Sequence, residues 1–162
     1  MAKISEKMAD LLSKQSTHEL LNHVKYQQAA NWFRRQNLNG FAKFCASQAD
    51  GELVHARKFM DYIADRDGNA LIGVVEQPKQ SFMNPLDIFE FIFSVELDTT
   101  KRIEDLITEA REMDDDMTFE LLQWFIKEQV EEENTIQEIV VKLRMIKQDG
   151  TGILLLDQHL LS

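Results

Sequence analysis

A chain of 162 residues suits one domain and can bury a core without disulfides or a structural metal. Its formal net charge of −10 opposes a nucleic-acid backbone and favours cationic partners, metal ions among them. A lone cysteine, Cys45, excludes an intramolecular disulfide, and no apolar run approaches the ~18 residues of a membrane-spanning helix. The opening stretch MAKISEKMADLLSKQ mixes charged with apolar residues instead of presenting an apolar signal core. The expectation is a soluble cytoplasmic protein with no nucleic-acid or membrane partner, an organellar location being left open.

Six glycines and two prolines cluster, leaving long unbroken segments that read as helices. The first predicted helix covers about 4–37 and the second about 41–66, joined by Leu38, Asn39 and Gly40. So tight a connection makes them antiparallel neighbours. Residues 67–85, DGNALIGVVEQPKQSFMNP, show no helical period and read as a long crossover. Asn84 and Pro85 then supply a cap and a first-turn residue for a third helix, about 85–112. Its IFEFIFSVEL stretch has strand-like composition, but the segment runs on without a breaker to Met113. The acidic MDDDM at 113–117 leads into a fourth helix, about 118–147, and Gly150 and Gly152 set off a short fifth, about 153–161. The predicted class is all-α: one four-helix-bundle domain over 1–162, with one long crossover and a short C-terminal fifth helix.

Each long helix carries an apolar stripe at three- and four-residue steps, and each stripe is interrupted near its middle by polar residues. The first runs Met8, Leu12, Gln15, Glu19, His23, Tyr26, Ala30, Phe33, and the second Phe41, Phe44, Gln48, Glu52, His55, Phe59, Tyr62. The third runs Phe89, Ile92, Glu96, Thr99, Ile103, Leu106, and the fourth Leu122, Phe125, Gln129, Glu132, Ile136, Ile139. A buried carboxylate costs several kcal/mol unless paired, protonated or bound to a metal. Four of them on core stripes require a shared explanation.

The spacing supplies one. Glu52 follows Glu19 by 33 residues and Gln129 follows Glu96 by 33, while His55 follows Glu19 by 36 and Glu132 follows Glu96 by 36. The ligand pattern of the first hairpin recurs in the second, so Glu19, Glu52, His55, Glu96, Gln129 and Glu132 converge on one level. Oxygen ligands with one imidazole suit iron, with manganese and zinc as competitors. Two cations are expected, because a single ion would not need four carboxylates, and Glu52 is best placed to bridge them. Asp50-Gly51 would ordinarily signal a turn, but a turn inside ADGELVHA would destroy these spacings, so it reads as helix interior.

At ELLNHVKYQQAANWF, ADGELVHARKFMDYI, the crossover ending in VEQP, and FELLQWFIKEQVEEE, the chain resembles the ferritins, specifically the non-haem bacterial type, over essentially its full length. The resemblance implies that Glu19, Glu52 and His55 hold a first iron and that Glu52, Glu96 and Glu132 hold a second, with Gln129 nearby. Tyr26 and Trp124 fall on the family's aromatics beside this centre, Tyr26 as a source of an electron. The haem-binding relatives carry a second Glu-x-x-His on the fourth helix; Gln129 and Glu132 stand there instead, and no haem is expected. A third iron site built in bacterial members from further carboxylates is matched by Glu128 and Glu131 together with Glu132. Gly51 stands where its partner Glu belongs, so that site is expected to be weakened, rebuilt using Asp50, or lost. The implied activity is a ferroxidase that oxidises Fe(II) with dioxygen and stores ferric oxide-hydroxide in a hollow shell of two dozen subunits. The alternatives are another di-iron carboxylate oxidase or peroxidase, a DNA-protecting mini-ferritin, and a metal-free structural bundle.

Other residues have plainer readings. Glu133 reads as a solvated face, His18 and His159 as surface residues, His23 as a hydrogen-bonded interior histidine, Cys45 as a small buried residue, and Asp114 to Asp116 as a polar turn. The apolar tail ILLLDQHLL is read as an assembly helix.

Overall fold

The computed structural model describes residues 2–162. They form α1 (Glu6–Arg35), α2 (Asn39–Asp65), α3 (Pro85–Glu112), α4 (Asp116–Ile146) and α5 (Gly150–Leu161), with no strand among them. The two hairpins α1/α2 and α3/α4 pack into a four-helix bundle, and the long segment between α2 and α3 lets the second hairpin cross over the first. IFEFIFSVEL is helical throughout.

Capping chemistry sets the helix limits. Ser5 accepts from the Met8 amide at 3.1 Å and Asn84 from Asp87 at 2.9 Å, each satisfying an amide that the first turn leaves unpaired. Asn37, Asp67 and Asp114 adopt positive φ at the helix ends, a conformation that Asn and Asp tolerate better than most side chains. α1 therefore stops two residues before the expected 37. The sequence reading took Asn39 and Gly40 for a connection, yet both lie in α2. Gly40 is needed there: a Cβ at this position would lie 1.7 Å from the Asp157 carbonyl oxygen. Asp115 and Asp149 cap α4 and α5 through the amides of Thr118 and Gly152, so both helices begin earlier than glycine and charge patterning suggested.

The crossover carries no regular structure but is tied to α1, where Ser13 Oγ accepts from the Leu71 amide at 3.1 Å and Thr17 Oγ1 from Gly73 at 2.9 Å. α5 lies against α2. Its Leu156 and Asp157 are buried, and Asp157 Oδ1 accepts from the Phe41 amide at 2.9 Å, supplying α2 with a cap that Leu38 cannot provide. Leu154 and Leu155 on the same helix stay exposed.

Two apolar clusters fill the bundle. One gathers Phe33, Phe41, Phe89 and Ile136 near α5; the other gathers Leu12, Phe59, Ile103 and Phe125 towards the opposite end. Stacked pairs, Phe33 on Phe41 and Phe59 on Phe125, tie helices together within each cluster. The polar interruptions of the four stripes form a belt between the clusters.

Candidate metal centre

Each stripe delivers its interruption to this belt. Glu19, Glu52, His55, Glu96 and Gln129 are all buried, with Glu96 wholly so, and Glu132 is half-buried. One ligand atom from each of Glu19, Glu52 and His55 lies within 4.8 Å of the others, and among the described residues no other group of three or more His, Cys, Asp or Glu meets at such spacing. Glu52 neighbours both Glu19 and Glu96, whose carboxyls act on its own.

A shell of hydrogen bonds orients these groups. Gln15 Nε2 donates to Glu19 Oε1 at 2.8 Å, which leaves Glu19 Oε2 buried with no protein partner. His55 Nδ1 is 3.2 Å from Glu52 Oε2. The Tyr26 hydroxyl donates to Glu96 Oε1 at 2.5 Å, while Gln129 Nε2 donates to Glu96 Oε2 at 3.1 Å and Gln48 donates to Glu132. Trp124 meets the His55 ring edge-on at 5.7 Å between centroids, and the Lys58 ammonium covers the Trp124 face at 4.0 Å.

Burial, reinforced by the neighbouring Glu52 charge, pushes the Glu19 carboxyl well above the usual range. Burial and the charge of Glu96 do the same to Glu52. Burial also raises Glu96 and Glu132, against the donors Tyr26 and Gln129 on the first and Gln48 on the second. Burial and then Glu96 lift the Tyr26 phenol. Carboxyls so crowded either keep protons or receive a cation. The unpartnered Glu19 Oε2 and the hard oxygen set with one imidazole fit a cation such as iron.

Several sequence readings change here. His18 is buried, not a surface residue: its Nε2 lies 3.0 Å from Thr99 Oγ1, and burial followed by the Arg102 and Lys25 charges pushes it down to about 4. Its polar partner lies on another helix and cannot be seen locally. Glu133 is half-buried and accepts from the Thr100 hydroxyl at 2.5 Å, so it is not simply solvated. Glu128 is half-buried and Glu131 exposed, and neither enters a metal-spaced group. His23 donates through Nδ1 to the Ala49 carbonyl at 2.7 Å, Cys45 is buried, and Asp115 both caps α4 and pairs with Arg66 at 3.0 Å. Sequence reasoning missed Asn22 and assigned nothing to Gln15, although Gln15 stands four residues before Glu19 on the same face, a spacing suited to a supporting hydrogen bond.

Comparison with known proteins places this geometry. Residues 9–146 match the family described as Ferritin-like domain. The chain is 32% identical over 157 residues to the bacterial non-heme ferritin of Campylobacter jejuni, covering 97% of this chain and 94% of that one. It is 31% identical to a probable bacterial non-heme ferritin-like protein of Haemophilus influenzae, over 97% of this chain and 95% of that protein. Its fold matches that of an open pore ferritin from Archaeoglobus fulgidus with a TM-score of 0.95, 37% identity and 98% coverage of both chains. With a family match over most of its length and relatives this close across nearly all of it, the chain belongs to the ferritin family.

Proposed function

We propose that the protein is an iron-storage ferritin with ferroxidase activity, a single ferritin-like domain that acts as a homo-oligomeric shell. The observation that carries this reading is the buried trio Glu19, Glu52 and His55, with the buried Glu96 neighbouring Glu52 and an oxygen of Glu19 without a protein partner. Fe(II) is the substrate. Glu19, Glu52 and His55 hold one ion, Glu52, Glu96 and Glu132 hold the second, and Gln129 fixes Glu96. Carboxylate ligands favour the higher charge of Fe(III), so their surplus negative charge assists the loss of one electron from each ion to dioxygen. Hydrolysis of the ferric product releases protons, and mineral collects in the cavity of a shell of two dozen subunits. Gln15, Tyr26, Gln48 and Gln129 hold the ligand carboxylates in place.

Exposed Leu154 and Leu155 on α5, and Leu71, Ile72 and Val74 on the crossover, suit burial between copies of the chain. No helix among the described residues is long and apolar enough to cross a membrane. Anaerobic Fe(II) titration combined with anomalous scattering at the iron edge tests the reading. Two ions per subunit at the named ligands, followed by oxidation on admitting air, are expected; iron bound elsewhere, or not at all, rejects it.

A further inference from the structure

Glu133 stands one turn beyond Gln129 on α4, and Thr100 one turn beyond Glu96 on α3. Gln129 bonds Glu96 across 33 residues, and Glu133 bonds Thr100 across the same 33. The second hairpin thus carries two polar rungs, a buried one at the metal centre and a half-buried one beside it. The first hairpin lacks the second rung: the corresponding positions there are His23 and Ala56, and a methyl group accepts nothing.

The hydroxyl proton of Thr100 decides how the buried rung is made. Thr17, Thr99, Thr108 and Thr135 each donate to the carbonyl four residues back on their own helix. Thr100 does not. Its proton goes to Glu133 Oε1 at 2.5 Å, which leaves the Glu96 carbonyl to another donor. Gln129 Nε2 takes that place at 3.2 Å, and also reaches the Thr100 oxygen at 3.2 Å and Glu96 Oε2 at 3.1 Å. The two hydrogens of the Gln129 amide therefore meet acceptors only, all of them on α3. Turned over, the amide would set its oxygen against the Glu96 carbonyl and carboxylate.

We propose that Glu133 is a positioning residue of the metal centre: by drawing the Thr100 proton to itself, it directs the Gln129 amide nitrogen onto the Glu96 carboxylate. Without that acceptor, the Thr100 proton turns back to the Glu96 carbonyl, as in the other threonines, and competes with Gln129 there. One of the two restraints on Glu96 then loosens, and partners behind a metal ligand set its orientation and basicity. The inference rests on the ferroxidase reading where it takes Glu96 as a ligand, but the orientation of Gln129 is independent of any metal.

Three variants test it. Glu133→Leu removes the acceptor, Glu133→Gln keeps one in its amide oxygen, and Thr100→Val removes the relay. In crystals of metal-free protein, Gln129 Nε2 should part from Glu96 Oε2 in Glu133→Leu and stay in Glu133→Gln; an unmoved Gln129 in Glu133→Leu overturns the proposal. Anaerobic Co(II) titration followed by visible absorption should show binding weakened by about 10-fold in Glu133→Leu, the lower end of what losing such a partner costs. Glu133→Gln should keep native affinity, and equal losses in the two variants overturn the proposal. Thr100→Val should match Glu133→Leu, with the double variant losing no more than either alone; additive losses overturn the relay. Native protein that takes up no Co(II) would reject the metal-centre reading instead, and the crystallographic comparison would still decide this one. Should Glu133→Leu fail to fold, the same two measurements on Thr100→Val decide it.

Discussion

Tyr26 on α1 and Glu96 on α3, both buried, are joined across the bundle by a 2.5 Å hydrogen bond. The phenol takes one carboxylate oxygen and Gln129 the other, so Glu96 is held at both ends before any cation arrives. Tyr26→Phe removes one restraint and keeps the ring. Removal of such a supporting partner typically costs about 10–100-fold in metal affinity or activity. Stopped-flow Fe(II) oxidation should slow by that order with shell assembly intact, and an unchanged initial rate would show that Gln129 alone suffices.

Glu52 neighbours both Glu19 and Glu96, and the bridging role proposed for it makes a direct prediction. Glu52→Ala should abolish rapid Fe(II) oxidation while the variant still elutes as a large shell on size-exclusion chromatography. Retention of the native initial rate would remove the bridging role.

The protonation pattern gives a prediction of definite sign. Glu19 and Glu52 hold their protons well above the ordinary value of 4.5, chiefly through burial. As pH rises from there, the unfolded chain releases protons that the metal-free native state retains, so these two groups lower stability through the window of their raised folded values. His18 acts oppositely: between 6.5 and about 4 the unfolded chain binds a proton that the buried imidazole refuses, and stability falls as pH drops. Glu19→Gln should accordingly raise the melting temperature of metal-free protein more at neutral pH than at pH 4.5, the ordinary value. Binding of a divalent cation to the native protein should release protons, measurable by calorimetry in buffers of different ionisation enthalpy. Proton-neutral binding would contradict the assignment.

How much of this was legible in the sequence depended on the range of each interaction. Glu19, Glu52, His55 and Glu96 declare themselves because an ionisable side chain on a core stripe breaks a local period, and period is a property of neighbouring residues. His18 and Asn22 do not, since their justification is Thr99, more than seventy residues away on another helix. Glycine misled for the same reason. Gly40 resembles a breaker until the Asp157 backbone is known to press against it, and that approach depends on α5 folding back.

Gly51 lies inside α2, and a Cβ placed there meets nothing within 4 Å. Gly51→Ala should therefore stabilise the protein by about 0.5–1 kcal/mol, the usual difference between the two residues in a helix interior, read as a rise in the denaturation midpoint. Gly51→Glu would place a carboxylate beside the centre. If Glu128 and Glu131 are waiting for that ligand, anomalous scattering should show additional metal near them, and unchanged occupancy would exclude a latent third site.

The contact between Asp157 and the Phe41 amide links the fifth helix to be made with the second. During synthesis, α2 leaves the ribosome with its first turn uncapped, and it stays so until translation has passed residue 157. The first hairpin can assemble early, but its end closes only after α5 has emerged. Nascent chains thus carry an uncapped first turn of α2 where chains with α5 docked carry a closed one, so this end of the first hairpin is the last part of the bundle to set.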